Sequence, residues 1–422
     1  MLAAATLVFS AVARQATAQQ PVTRADAHRA ALAAGPRVAL ARADTAAARA
    51  ALITAKALPN PSLAATYSKS APRKHLILDI PVDAPWSRGP RVGAATATAR
   101  AARLRFLSER TSAIIEVDTT YTMALAAQAR FRLSRQTARD ADSLRVMTAA
   151  RRDAGDASDL DVDLATITAG QQTNAAATDS LTYMSTVLTV QTLMGIAADS
   201  ASITLVDSLR LTPRDTDAML RALDSTTGIV ALPMGPASTV ALTGAVTPGV
   251  AAAEASLAAA DLAITRERRS VFGAPSVQVG VEWGDPAAEN PNAKLPTVGV
   301  SLPLPLFSRN QGPIAQAEAE RDRARAELAS IRLLVRQRLI EGTRERESLR
   351  VRVARDQDLV VRAERVAAKS LTAYREGASA LPAVLEARRT AREVLGQYID
   401  DLAALMTIES ELRALTQTVP SP

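Results

Sequence analysis

The sequence predicts an α+β fold in which long antiparallel α-helical hairpins are joined to four short amphipathic strands. Three observations predict it: an ordered internal repeat, two helical stretches of about sixty residues each, and period-two alternation confined to short segments between helices. The composition agrees. Hydrophobic residues make up 48% of the 422 positions but aromatics 3%, so Ala, Leu and Val carry the apolar content. Such a chain favours long, closely approaching helices over the aromatic-rich core of a compact enzyme.

In chain order, Met1–Ser10 is a short apolar run, and Ala16-Thr17-Ala18 precedes Gln19. This is the pattern of a secretory signal peptide, assigned to 1–18. Beyond it no run of eighteen apolar residues occurs, so no transmembrane helix is expected, and a membrane crossing would need a β-barrel. The first copy of the repeat covers 19–196. A short helix over about 23–34 breaks at Gly35-Pro36, and a second runs to about Lys56. Two strands follow, Pro61–Ser68 with Leu63, Ala65 and Tyr67 on its apolar face, and His75–Val82 with Leu76, Leu78, Ile80 and Val82 on its own. A proline-free helix is expected over about 90–152, a rod of roughly 95 Å. The Gly155 turn then sends the chain back as a helix over about 158–194.

A Thr-, Ser-, Gly- and Pro-rich connector occupies 197–246. The second copy, 247–415, places strands at Ser276–Gly284 and Pro296–Phe307. Val277, Val279, Val281 and Trp283 share one face of the former, and Val298, Val300, Leu302, Leu304 and Leu306 one face of the latter. A long helix over about 313–375, a turn at Gly377, a helix over about 381–415 and a tail of 416–422 complete it. The duplication rests on landmarks kept in order: Pro61-Ser62 and Pro275-Ser276 opening the strands, Trp86-Ser-Arg-Gly-Pro90 and Phe307-Ser-Arg-Asn-Gln-Gly-Pro313 opening the long helices, and Gly155 and Gly377 ending them.

Apolar-out, polar-in alternation over such lengths suits tilted transmembrane strands, with Tyr67, Trp86, Trp283 and Phe307 near the ends as interfacial aromatics. A soluble sheet packed on one face would alternate equally well. Counting separates the two within the membrane case: four strands are too few to close a membrane barrel, so several chains must share one.

The repeated strand entry, the Leu304-Pro-Leu-Phe307-Ser-Arg-Asn-x-Gly-Pro-Ile314 junction, and the turns Ala154-Gly-Asp-Ala-Ser-Asp-Leu-Asp161 and Tyr374-Arg-Glu-Gly377 resemble the TolC-type outer membrane efflux protein family, in its heavy-metal and multidrug branch. The resemblance spans about Val22 to Leu415. It implies a homotrimer whose twelve strands form one transmembrane β-barrel and whose hairpins form an α-barrel tunnel in the periplasm. It also implies a passive conduit from periplasm to exterior, serving a tripartite efflux or type I secretion system. The partners would be a periplasmic adaptor protein, an inner-membrane transporter and outer-membrane lipid, with no cofactor. By the same likeness Asp161 and Glu386 face the periplasmic constriction, where repeated carboxylates would attract cations. The position matching Asp161 in the second copy is Ala383, a departure. Arg152, Gly155, Ser158, Arg375 and Gly377 would form the adaptor-docking helix tips. The lipid-facing set would be Leu76, Leu78, Ile80, Val277, Val279, Val281, Trp283, Val298, Val300 and Leu302. Some relatives carry a lipid-anchoring cysteine, and this chain has no cysteine at all.

Other chemistry finds little support. With no cysteine, and with His28 and His75 far apart, neither a disulfide framework nor a metal site is expected. The arginines of 336–365 are interleaved with acids along one helix (Glu318/Arg321, Glu320/Arg323, Asp322/Arg325 and Glu347/Arg350 at i,i+3) and lack stacking aromatics. They describe a solvated face, with no nucleic acid implied. The competing reading from another class is a periplasmic adaptor or coiled-coil scaffold without a pore; an enzyme ranks third. Metal ions, drugs and polypeptides all remain open as cargo.

Overall fold

A computed structural model describes residues 20–196, 200–209, 230–231, 247–271, 273–287, 290 and 292–418. The expected signal peptide, most of the expected connector and the end of the tail fall outside them.

The first copy runs β1 (Gln20–Val22), α1 (Arg24–Ala34), α2 (Pro36–Lys56), β2 (Ser62–Tyr67), β3 (Lys74–Pro81), α3 (Pro85–Asp153) and α4 (Asp159–Leu193). After β4 (Ile203–Leu205) and β5 (Val230–Ala231) the second copy follows. It comprises α5 (Pro248–Arg269), β6 (Ser276–Trp283), β7 (Leu295–Ser301), α6 (Gln311–Arg375) and α7 (Leu381–Leu415), and β8 (Gln417–Thr418) comes last. The copies agree closely: α2 and α5 have 21 and 22 residues, α3 and α6 have 69 and 65, and α4 and α7 have 35 each.

Two expected boundaries move. Helix α3 begins at Pro85 and contains Pro90. Ala84 accepts from the Ser87 and Arg88 N–H groups, so the first turn is already formed when Pro90 arrives. Pro90, in the second turn, withholds the N–H that would meet the Trp86 carbonyl, and the long helix continues at the loss of that one bond. Strand β7 stops at Ser301 although alternation continues to Leu306, because Pro303 and Pro305 have no N–H to give a ladder.

Glycine ends the helices where the backbone must turn left-handed. Gly155 and Gly377 have φ of 86° and 75°. At each, the glycine N–H and the next N–H bond back across the last turn, to Arg152 and Arg151 and to Tyr374 and Ala373 respectively. This double bond pattern satisfies carbonyls that a helix end leaves open. The two long helices also start alike, each clamped to the helix preceding its strands. Arg91 donates to the Ala55 carbonyl (3.0 Å) and to Asp83 (2.9 Å), while Asn310 donates to the Glu267 carbonyl (2.8 Å).

The chain forms two compact units, each drawing on both copies. One comprises 1–35, 114–222 and 346–410. Its core joins Val22, Ala27, Val117, Tyr121, Leu125, Val187, Val190, Ile203 and Leu205, the α3 members recurring at helical spacing. A second cluster of Leu144, Ala165, Tyr374, Leu381 and Val384 lies under the turns. The other unit comprises 36–113, 223–345 and 411–422 and holds the four-stranded antiparallel sheet, ordered β2-β3-β6-β7, with a cluster of Val250, Ala253 and Leu328. Among the described residues no helix is long and apolar enough to cross a membrane.

Candidate functional site

The register of the sheet decides which side chains share a face. Leu63 pairs with Leu78, Ala65 with Leu76, Leu76 with Val281, Leu78 with Val279, and Ile80 with Val277. Val277 pairs with Val300, and Val279 with Val298. Directly paired residues point to the same side, so nine of the ten residues expected on one apolar face are brought together there. The tenth, Leu302, lies one residue past the end of β7 and is exposed.

That apolar face is the open one. Val298 and Val300 are 75% and 76% exposed, and Leu63, Tyr67, Leu76, Leu78, Ile80 and Val279 are exposed as well. The opposite face is polar and more shielded. There Ser276 donates to Asp79 (2.7 Å), and His75 sits 3.3 Å from Glu282. A soluble sheet would bury its valines and wet its polar face. This sheet does the reverse.

The two helix tips lie within one unit and are joined by side chains that the sequence reading did not single out. Arg151 donates to the Tyr374 carbonyl, and its guanidinium lies 4.7 Å from the centre of the Tyr374 ring. The Tyr374 hydroxyl meets the Thr148 hydroxyl at 3.1 Å. Arg151 lies four residues before Gly155 and Tyr374 three before Gly377, so proximity to the turn glycines was the available signal. Arg152, Gly155, Ser158, Arg375 and Gly377 are all exposed at these tips.

Both constriction candidates have local partners. Ser158 caps α4, and Asp161, at the third helical position, accepts from the Ser158 N–H (3.2 Å) and hydroxyl (2.8 Å) in a capping box. Glu386 is exposed and paired with Arg389 at 2.8 Å, one turn further along α7. The hydrogen bond from Arg389 holds the Glu386 carboxyl below its ordinary range. The two carboxylates have no partner in common.

Of the four i,i+3 pairs expected along α6, Asp322–Arg325 forms, at 4.0 Å. Glu318 instead pairs with Arg268 (2.7 Å), Arg323 with Glu327 (3.0 Å) and Arg350 with Glu409 (2.8 Å). Long arginines on a two-helix surface thus reach across as readily as along.

A buried polar cluster also went unforeseen. Asp118 of α3, 1% exposed, accepts from Arg24 (2.8 Å) and Ser410 and lies 3.0 Å from His28 Nε2. Burial alone would raise its carboxyl. The His28 and Ser410 hydrogen bonds and the Arg24 charge instead hold it far below the ordinary carboxylate range. The Tyr121 hydroxyl lies within hydrogen-bond distance of the Val22 carbonyl (2.9 Å) and the Asp207 carboxylate (2.8 Å), and burial with the Asp207 contact pushes its hydroxyl well up. The cluster ties α1, α3, α7 and the segment after β4 together. Among the described residues no group of three potential metal ligands occurs.

Long antiparallel hairpins joined to a four-stranded sheet whose apolar face is open are the defining features of this fold. The model of the outer membrane efflux protein family matches residues 244–417. No curated protein sequence matches. Among solved structures, the CmeC outer membrane channel of Campylobacter jejuni is 14% identical with a TM-score of 0.74, covering 93% of this chain and 85% of that one. The outer membrane protein VceC of Vibrio cholerae is 14% identical with a TM-score of 0.69, covering 94% and 96%. The MtrE outer membrane channel of Neisseria gonorrhoeae is 13% identical with a TM-score of 0.66, covering 93% and 88%. At these identities the likeness is one of fold.

Proposed function

We propose that three copies of the chain form one duct, each giving four strands to a shared twelve-stranded barrel and two hairpins to a periplasmic α-barrel. The observation that carries this is the open apolar face of a sheet with two free edges. Strands β2 and β7 end the sheet on either side, and each presents unpaired N–H and C=O groups. In hydrocarbon such groups must be paired, so a neighbouring copy has to supply the next strand. The lipid-facing set is then Leu76, Leu78, Ile80, Val277, Val279, Val281, Trp283, Val298, Val300 and Leu302.

The tips built by Arg152, Gly155, Ser158, Arg375 and Gly377 dock a periplasmic adaptor coupled to an inner-membrane transporter. Asp161 and Glu386 ring the entrance. Asp161 is bound only by its own cap, whereas each Glu386 is paired with Arg389, so the Asp161 ring dominates cation attraction. In this reading 19–196 and 247–415 are the two repeats and 197–246 the connector.

The test is extraction and reconstitution of the full-length protein. The expected result is a detergent-dependent trimer by native mass measurement, with stepwise conductance in planar bilayers. A monomer released from membranes without detergent would remove this reading in favour of an adaptor or scaffold.

A further inference from the structure

The chain writes its positive charge as arginine: of 50 basic residues, 45 are arginine and five are lysine. Three of those five, Lys69, Lys74 and Lys294, lie at one end of the sheet. The turns joining β2 to β3 and β6 to β7 are both at the end away from the long helices, because α2 and α3 meet the opposite ends of their strands, as do α5 and α6. At this distal end Lys74 pairs across the sheet with Tyr67 on one side and Trp283 on the other. Continuing the β6–β7 register by one residue sets Lys294 opposite Trp283. The last row of the apolar face is therefore Tyr67, Lys74, Trp283, Lys294, aromatic and cation alternating over all four strands. Lys69 and Arg73 stand in the turn just beyond it, and Gly284 approaches Arg73 closely enough that an added Cβ would lie 3.6 Å from its Cβ. All four cations are exposed, and none is held in an ion pair with a described residue. Of the two acids in these turns, Asp285 accepts from the Ala287 N–H of its own loop, and Glu289 lies outside the described residues.

We propose that this row binds the phosphate groups of phosphorylated lipid headgroups in the outer leaflet. The proposal rests on the lipid-facing reading of the sheet. Tyr and Trp side chains settle at a membrane–water boundary. A lysine on the apolar face at that level extends its stem along the surface and its ammonium toward the headgroups. Lysine serves here as a compact point charge on a flexible stem. Clustered cations next to a hydrophobic surface are complementary to anionic headgroups. In a trimer the row repeats three times and becomes a belt around the barrel.

The full-length trimer is reconstituted into phosphatidylcholine vesicles, alone or with a minor fraction of a bis-phosphorylated glycolipid or of its dephosphorylated form. Lipid retained per trimer is then read by native mass spectrometry. The phosphorylated glycolipid is expected to be retained selectively. The combined K69Q, R73Q, K74Q and K294Q variant is expected to lose about tenfold of that retention while staying trimeric. A variant with arginine at the three lysine positions keeps most of it. Equal retention of both glycolipids, or no loss in the combined variant, overturns the proposal. So does full competition by inorganic phosphate at the same phosphate concentration, which reassigns the site to a free anion. Failure of the unaltered protein to insert into phosphatidylcholine removes the lipid-facing reading itself; insertion without phosphate discrimination removes this inference alone.

Discussion

Around Asp118 the molecule buries charge, and on the four-stranded sheet it exposes aliphatic side chains. Both reverse the ordinary distribution of a water-soluble domain. The first is possible because Arg24, His28 and Ser410 converge on one carboxylate and replace its water. The second makes sense when the outer surface meets hydrocarbon instead of water. The difference teaches that burial in a single chain must be judged against the solvent each region will face. The buried ion cluster belongs to a dry protein interior, and in the proposed trimer the open valines belong to a surface completed by lipid.

Breaking the interior side of that contrast gives the largest expected effect. Asp118→Ala leaves Arg24 and His28 buried without their carboxylate, which costs about 3–5 kcal/mol for a broken buried pair. The denaturation midpoint of the helical unit should fall accordingly, and Asp118→Asn should recover part of the loss. A midpoint unchanged in Asp118→Ala would show that the cluster is not an anchor.

The exterior side is tested next. Val279→Lys places a charge in the middle of the apolar face and is expected to cost about 2–4 kcal/mol of membrane stability. Gln278→Lys, one residue away on the polar face, should change it by no more than about 0.5 kcal/mol. Protease protection after vesicle insertion reads both. Equal effects at the two positions would mean that the two faces meet the same solvent.

The contrast also separates what the sequence discloses from what it hides. Helix ends at Gly35, Gly155 and Gly377 were legible because glycine and proline act locally on the backbone. The apolar face of the sheet was legible because period two survives any register that keeps the face buried in one medium. The end of β7 was misjudged because alternation persists through Pro303 and Pro305, which cannot pair. The capping of α4 stood in the sequence as Ser158-x-x-Asp161, but an acid there also fits a channel entrance. The Asp118 anchor was hidden, since its partners lie 90 to 292 residues away. Its trace was a charged residue on the buried stripe of Ile114, Val117 and Tyr121.

At the helix tips smaller effects are expected. Gly155→Ala and Gly377→Ala each force a side chain into left-handed backbone, at a cost of about 1–2 kcal/mol. Hydrogen exchange at the amides of Gly155, Asp156, Gly377 and Ala378 should accelerate, with the sheet unchanged. Unaltered exchange would mean that the turns are not held by those bonds.

The smallest effect carries the opposite sign to Asp118 and sharpens the account of buried charge. Asp356 of α6 and Asp401 of α7 are both buried, and Arg352 pairs with Asp401 at 3.1 Å. Burial, with the hydrogen bond and charge of Asp401, pushes the Asp356 carboxyl above its ordinary value. In the folded state it therefore holds its proton to higher pH than in the unfolded chain, and stability falls as pH rises through the folded value. Asp118 behaves inversely: its folded value is depressed, so its contribution is present above the ordinary carboxylate range and disappears as pH falls toward the folded value. Asp356→Asn removes one ionisation without removing the volume. The variant should match the unaltered protein in acid, where Asp356 is protonated in both states, and exceed it modestly at neutral pH. Denaturation midpoints collected across that range check the sign. A variant less stable than the original at neutral pH would show that the Asp356 charge is welcome in the fold, as the charge of Asp118 is.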